Sequence, residues 1–205
     1  SVNLPSMKPD AVRELGKYIW LAEAMGNIAC ELSDGQASAL EISAKGILSN
    51  KDTSPLTVTA LRGMLSKRID GVTYVNANLI AKNHGIQVRH SKTEQTDQFQ
   101  EEVTITVITE KGEISLTGTI LANDEPLITK INSHPISLSP AKMMLFTSHT
   151  DQPGMVAKIA TVLAKHSINI SNMSLARLAA RHDAMMVMGL DDTLAESILK
   201  EIDKS

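Results

Sequence analysis

Between Met143 and Ile202 the apolar residues switch repeatedly between a period of two and a period near 3.6. That switching constrains the fold more than any other feature of the chain, because side chains alternate faces along a strand but share a face at i, i+3, i+4 and i+7 along a helix. Met143–Thr150 reads as a strand. Pro153 then opens a helix whose buried face is Val156, Ile159, Ala160 and Leu163. Residues Ser167–Leu178 and Ala184–Leu190 read as two further strands, with Met185–Met188 filling the core. Thr193 and Glu196 stand at capping-box spacing before a last helix face of Leu194, Ala195, Ile198, Leu199 and Ile202. The order is β-α-β-β-α, five elements of a ferredoxin-like β-α-β-β-α-β unit. The sixth element, a final strand, is expected to be missing, since the sequence stops at Ser205.

Upstream the pattern is different. Helical spacing of Val12, Leu15, Ile19, Ala22, Met25, Ala29 and Leu32 predicts one long helix from Pro9 to Leu32, with Trp20 packed inside. A strand is expected at Ala39–Gly46. A helix with Pro55 at its first position follows, its face marked by Val58, Leu61 and Leu65. A short strand at Gly71–Val75, a helix at Asn76–His84 and a strand from Gly85 come next. Residues 91–98 read as a polar loop. Val103, Ile105 and Val107, then Ile114, Leu116 and Ile120, alternate with polar residues around Glu110-Lys111-Gly112-Glu113, the pattern of a β-hairpin. A further strand is expected at Leu127–Asn132 and a linker at Pro135–Pro140. Antiparallel strands with helices before them argue α+β. The expected organisation is therefore a mixed α/β domain at 1–140 and a ferredoxin-like βαββα(β) domain at 141–205.

Composition excludes several functions. Net charge is −3 and aromatic residues make up 2% of the 205. A chain with no basic excess and few stacking platforms is poorly suited to nucleic acid. No apolar run approaches the roughly 20 residues that span a bilayer, and no membrane partner is expected. Cys30 is the single cysteine, so neither an intrachain disulfide nor a cysteine metal cage can form, and a reducing, cytoplasmic setting is expected. The six histidines are scattered without metal-ligand spacing, so no metal is expected. No G-x-G-x-x-G, phosphate-binding loop or G-x-S-x-G elbow is present. No catalytic residue is assigned; the chain reads as small ligand-binding domains.

Three local features could hold a ligand. His149-Thr150-Asp151-Gln152-Pro153-Gly154 runs from a strand into a helix N-terminus. Helix N–H groups can receive a carboxylate there, and Asp151 can accept from an ammonium; an amino acid carries both groups. The alternative is that Asp151 caps the helix and His149 is a solvated loop residue. Asn169, in Ile168-Asn169-Ile170-Ser171-Asn172, is an unfavourable strand residue. It either hydrogen-bonds a partner or faces solvent. Arg89, His90 and Lys92 place three potential cations within four residues, suited to an anion or to an ordinary charged edge.

Thr150-Asp151-Gln152-Pro153-Gly154-Met155-Val156-Ala157-Lys158-Ile159, followed by Ser167-Ile168-Asn169-Ile170-Ser171-Asn172-Met173, resembles an ACT domain. Pro55-Leu56-Thr57, Leu61-Arg62-Gly63-Met64-Leu65, Val75-Asn76-Ala77, Ala81, His84-Gly85-Ile86 and Gly118-Thr119 resemble the intervening, allosteric substrate-binding domain of long-type D-3-phosphoglycerate dehydrogenases. The resemblance covers essentially the whole chain in order. It implies the regulatory C-terminal part of an NAD-dependent enzyme that oxidises 3-phosphoglycerate in the first step of L-serine synthesis. The catalytic groups and NAD would then lie upstream, and this chain would carry no cofactor. It also implies L-serine bound between ACT domains of two subunits in a homo-oligomer, at positions matching His149, Asp151 and Asn169. Asp151 stands where some members carry Asn. Lys92 matches a basic anion-binding position of the intervening domain, whereas Ser139 stands where anion-regulated members carry Arg. The regulatory part of an iron–sulfur L-serine dehydratase and a free-standing amino-acid sensor are the alternative readings.

Overall fold

A computed structural model describes residues 8–96, 98–150, 152–177 and 183–203. The chain divides into two compact units, Ser1–Ser133 and His134–Ser205. In the first, α1 (Pro9–Leu15) and α2 (Tyr18–Leu32) replace the single long helix expected from spacing. The break is at Gly16, whose φ of 51° leaves the helical region while its N–H caps Val12 O. The apolar repeat runs through this break because both pieces cover the same core. Trp20 does not pack: it is 48% exposed.

Strand β1 (Ala37–Gly46) leads through a 3-10 turn at Ile47–Asn50 to α3 (Ser54–Leu65), then α4 (Ala77–Asn83) and β2 (Gln87–Thr93). Residues 71–75 form a turn rather than a strand. The Thr73 N–H donates to Asn76 Oδ1 at 2.6 Å, the Asn76 N–H to Thr73 Oγ1 at 3.3 Å, and Asn76 Nδ2 to Gly71 O at 2.9 Å. Short polar side chains thus take the backbone groups a strand would need. β2 runs into the expected polar loop, since its parallel pairing with β1 continues to Lys45↔Thr93. The hairpin is β3 (Glu101–Thr109) with β4 (Gly112–Ile120), and β5 (Pro126–Ile131) follows. Within this unit the strands lie in the order β2-β1-β3-β4-β5, antiparallel apart from β1–β2. A parallel pair needs a crossover, and α3 with α4 supplies it. The core holds Leu21 and Met25 of α2, Leu56, Leu61 and Met64 of α3, and Leu40, Ile42, Ile105, Leu116 and Ile128 of the sheet, all fully buried.

In the second unit the expected linker contains β6 (His134–Leu138), which lies beside β8. Pro135 sits second in this strand. The rest is β7 (Met143–Thr150), α5 (Met155–Lys165), β8 (Ile170–Arg177), β9 (Asp183–Leu190) and α6 (Glu196–Asp203). The sheet β7-β9-β8 is antiparallel. Leu145, Ile159, Leu163, Met186, Met188, Ile198 and Ile202 form its core. The element order β-α-β-β-α is as the apolar period demands, and the fold class is α+β. Details differ. α5 starts after Gly154, not at Pro153, and β8 starts at Ile170 because Ser167 ends the helix in a left-handed conformation, φ 58°. The capping box does not form: α6 begins at Glu196, whose carboxylate pairs with Lys200 at 2.7 Å.

Candidate functional site

The end of β7 and the start of α5 frame the first candidate. His149 is the penultimate residue of β7, level with Ala184 of β9. Its Nδ1 lies 3.0 Å from Thr150 O. A carbonyl only accepts, so Nδ1 carries the proton. Nε2 is then a lone pair in the neutral ring or an N–H donor in the cation. That atom is enclosed and, among the described residues, has no hydrogen-bond partner. Gly154 precedes α5 with φ 94°, and a Cβ there would meet nothing within 4 Å. The first N–H groups of α5 and its dipole favour an anion at this end. Asp151 lies outside the described residues.

Asn169 immediately precedes β8 and is exposed. Its Nδ2 donates to Asp191 Oδ2 at 2.6 Å, and the Asp191 N–H donates to Asn169 O at 3.2 Å. Asp191, just past β9, was not among the residues singled out from sequence; an acid after a strand carries no signal of its own. The register decides how far apart the two candidates are. β7 and β8 both pair with β9, His149 at the level of Ala184 and Asn169 beyond Leu190. At about 3.4 Å per residue, some seven residues of β9 put them about 24 Å apart along the sheet in one chain. A single chain does not bring His149 and Asn169 around one small ligand.

Arg89, His90 and Lys92 do not converge either. Consecutive strand residues face opposite ways. Arg89 pairs across with Glu41 at 2.7 Å and with Gln87 Oε1 at 2.9 Å. His90 and Lys92 are on the other face, opposite Ile42 and Ala44, near the start of α3. There His90 Nδ1 lies 3.3 Å from Thr57 Oγ1, and Lys92 Nζ donates to Lys51 O at 2.6 Å. Asp52 is close by. Its carboxyl is held below the ordinary range, first by the Ser54 hydroxyl, then by the Ser54 N–H, with Lys92 among the cations that add to this.

The comparisons with known proteins match this arrangement in order. The model of the D-3-phosphoglycerate dehydrogenase intervening domain covers residues 14–132. The chain belongs to that family. The ACT domain model covers residues 143–205. Among curated relatives, the D-3-phosphoglycerate dehydrogenase of Synechocystis is 36% identical over 206 residues, covering 100% of this chain and 37% of the relative. That of Methanocaldococcus jannaschii is 30% identical, covering 98% of this chain and 38% of the relative. That of Archaeoglobus fulgidus is 28% identical, covering 100% and 39%. The chain thus spans well under half the length of these dehydrogenases. Among the described residues no helix is long and apolar enough to cross a membrane.

Proposed function

We propose that this chain is the regulatory region of an NAD-dependent D-3-phosphoglycerate dehydrogenase and senses L-serine between the ACT units of two subunits. The observation that carries this reading is the tandem of an intervening domain and an ACT domain, in the order found in relatives that all bear the dehydrogenase's name. The same relatives favour it over a serine dehydratase. The nicotinamide cofactor and the groups that act on substrate fall outside these 205 residues, which contain no glycine-rich dinucleotide loop.

The site's chemistry supports an amino acid. The serine carboxylate faces the first N–H groups of α5, with His149 beside them at the end of β7. The ammonium is taken by Asp151, or by Asn169 Oδ1 of the neighbouring subunit. The separation of about 24 Å between His149 and Asn169 within one chain supports a site completed by two chains. In the intervening domain, an anion is the proposed ligand of His90 and Lys92; Arg89 faces away from them.

Calorimetric titration with L-serine, glycine and 3-phosphoglycerate tests the reading. Removing one charge-assisted hydrogen bond costs about 1.5–3 kcal/mol. Asp151→Ala is therefore expected to weaken serine binding about ten- to a hundredfold, while Lys92→Ala leaves it unchanged. No serine binding at millimolar concentration would overturn the assignment.

A further inference from the structure

We infer that Asp191 is a positioning residue that makes the effector site select an amino group over a hydroxyl. The inference rests on the amino-acid reading above and adds to it a residue that touches no ligand itself. An Asn side chain has a donor end and an acceptor end of nearly equal shape, so what it offers a ligand depends on what holds it. Asp191 settles that choice at Asn169. A carboxylate only accepts, and Asp191 Oδ2 lies 2.6 Å from Nδ2. The amide is thereby fixed with Nδ2 turned to Asp191 and Oδ1 turned away.

A second tie, from the Asp191 N–H to Asn169 O, holds the two segments at this level just beyond the Ile170↔Leu190 pair. Among the described residues Oδ1 has no hydrogen-bond partner, and Asn169 and Asp191 are both exposed, so a ligand can reach the acceptor. The Asp191 carboxylate adds negative charge behind the amide, and Asp192 follows it. An acceptor backed by negative charge holds an ammonium and gives a hydroxy acid no comparable gain. The site would thus separate an amino acid from a hydroxy acid of the same carbon skeleton.

The test is calorimetric titration of the 205-residue chain, Asp191→Ala and Asp191→Asn with L-serine and with L-glycerate, in which a hydroxyl replaces the amine. Side-chain amide NMR of Asn169 is followed in parallel. The Ala variant is expected to lose about tenfold in serine affinity, the scale of one charge-assisted hydrogen bond. Its glycerate affinity is expected to change by less than about twofold, so the preference for the amine narrows. The Asn variant keeps an acceptor for Nδ2 without the charge and is expected to recover part of the loss. The Asn169 amide protons should shift in the Ala variant. Three results overturn the inference. If the parent binds serine and the Ala variant keeps both affinity and preference, this inference alone fails. If both ligands weaken equally alongside a lowered melting temperature, the role is structural only. If the parent shows no saturable serine binding, the amino-acid reading falls and takes this one with it.

Discussion

Glu201 of α6 accepts from His166 Nε2 at 2.9 Å and from Lys165 Nζ at 2.7 Å, tying the last turn of α5 to α6. The His166 bond, and after it the Lys165 bond, hold the Glu201 carboxyl below the ordinary glutamate value. The sign follows from linkage. The unfolded chain takes up this proton at a higher pH than the folded one, so the pair's contribution is complete above the unfolded value, near 4.3. It is lost as pH falls through the lower folded value. Glu201→Gln is therefore expected to leave the second unit less dependent on pH below about 5, with parent and variant stabilities converging in acid. Urea denaturation followed at a series of pH values checks this. A gap that widens toward low pH would reverse the assignment.

At the scale of elements, the contact between α2 and α3 depends on two glycines. A Cβ on Gly26 would strike the Ala60 carbonyl, and one on Gly63 the Glu23 carbonyl. Arg62 and Tyr74 brace the same crossing: Arg62 pairs with Glu23 and lies 4.7 Å above the Tyr74 ring, whose hydroxyl donates to Glu23 at 2.7 Å. Alanine in a helix gains up to about 1 kcal/mol over glycine from propensity. Overpacking costs about 1–3 kcal/mol, and here the obstacles are backbone atoms of two packed helices, which yield least. Sterics should win: Gly63→Ala and Gly26→Ala are each expected to lower the stability of the first unit, read as a fall in the urea midpoint. A rise in either midpoint would show that the helices can separate.

These glycines also mark what was legible in the sequence. The β3–β4 hairpin and α5 were, because half-buried elements print their period directly into the apolar residues. The break at Gly16 was masked by a repeat that serves one core on both sides. The turn at Thr73–Asn76 was hidden because its stability comes from side chains bonding their own backbone, and β6 because Pro135 within it and Pro140 after it read as linker. In the candidate site the residue types of His149 and Asn169 were readable. Their placement at opposite ends of one sheet was not, since strand register is a long-range property. Asp191 is identified only by what its carboxylate touches.

For the molecule as a whole, that separation has a thermodynamic consequence. Where one ligand needs His149 from one chain and Asn169 from another, binding and association are linked, and each must strengthen the other by the same factor. Serine is expected to shift the 205-residue chain toward dimers in sedimentation velocity. Diluting the protein below its dimer dissociation constant is expected to weaken the apparent serine affinity, because each binding event must then also recruit a partner. Glycine, with the same carboxylate and ammonium, should produce the same shift more weakly if the serine hydroxyl adds a contact. Asp191→Ala should reduce the serine-induced shift, because that variant no longer fixes the Asn169 amide that the ligand uses. A chain that binds serine with an affinity independent of protein concentration, while remaining monomeric throughout, would require a site built from one chain, and the register of β7 and β8 against β9 does not provide one that includes both His149 and Asn169.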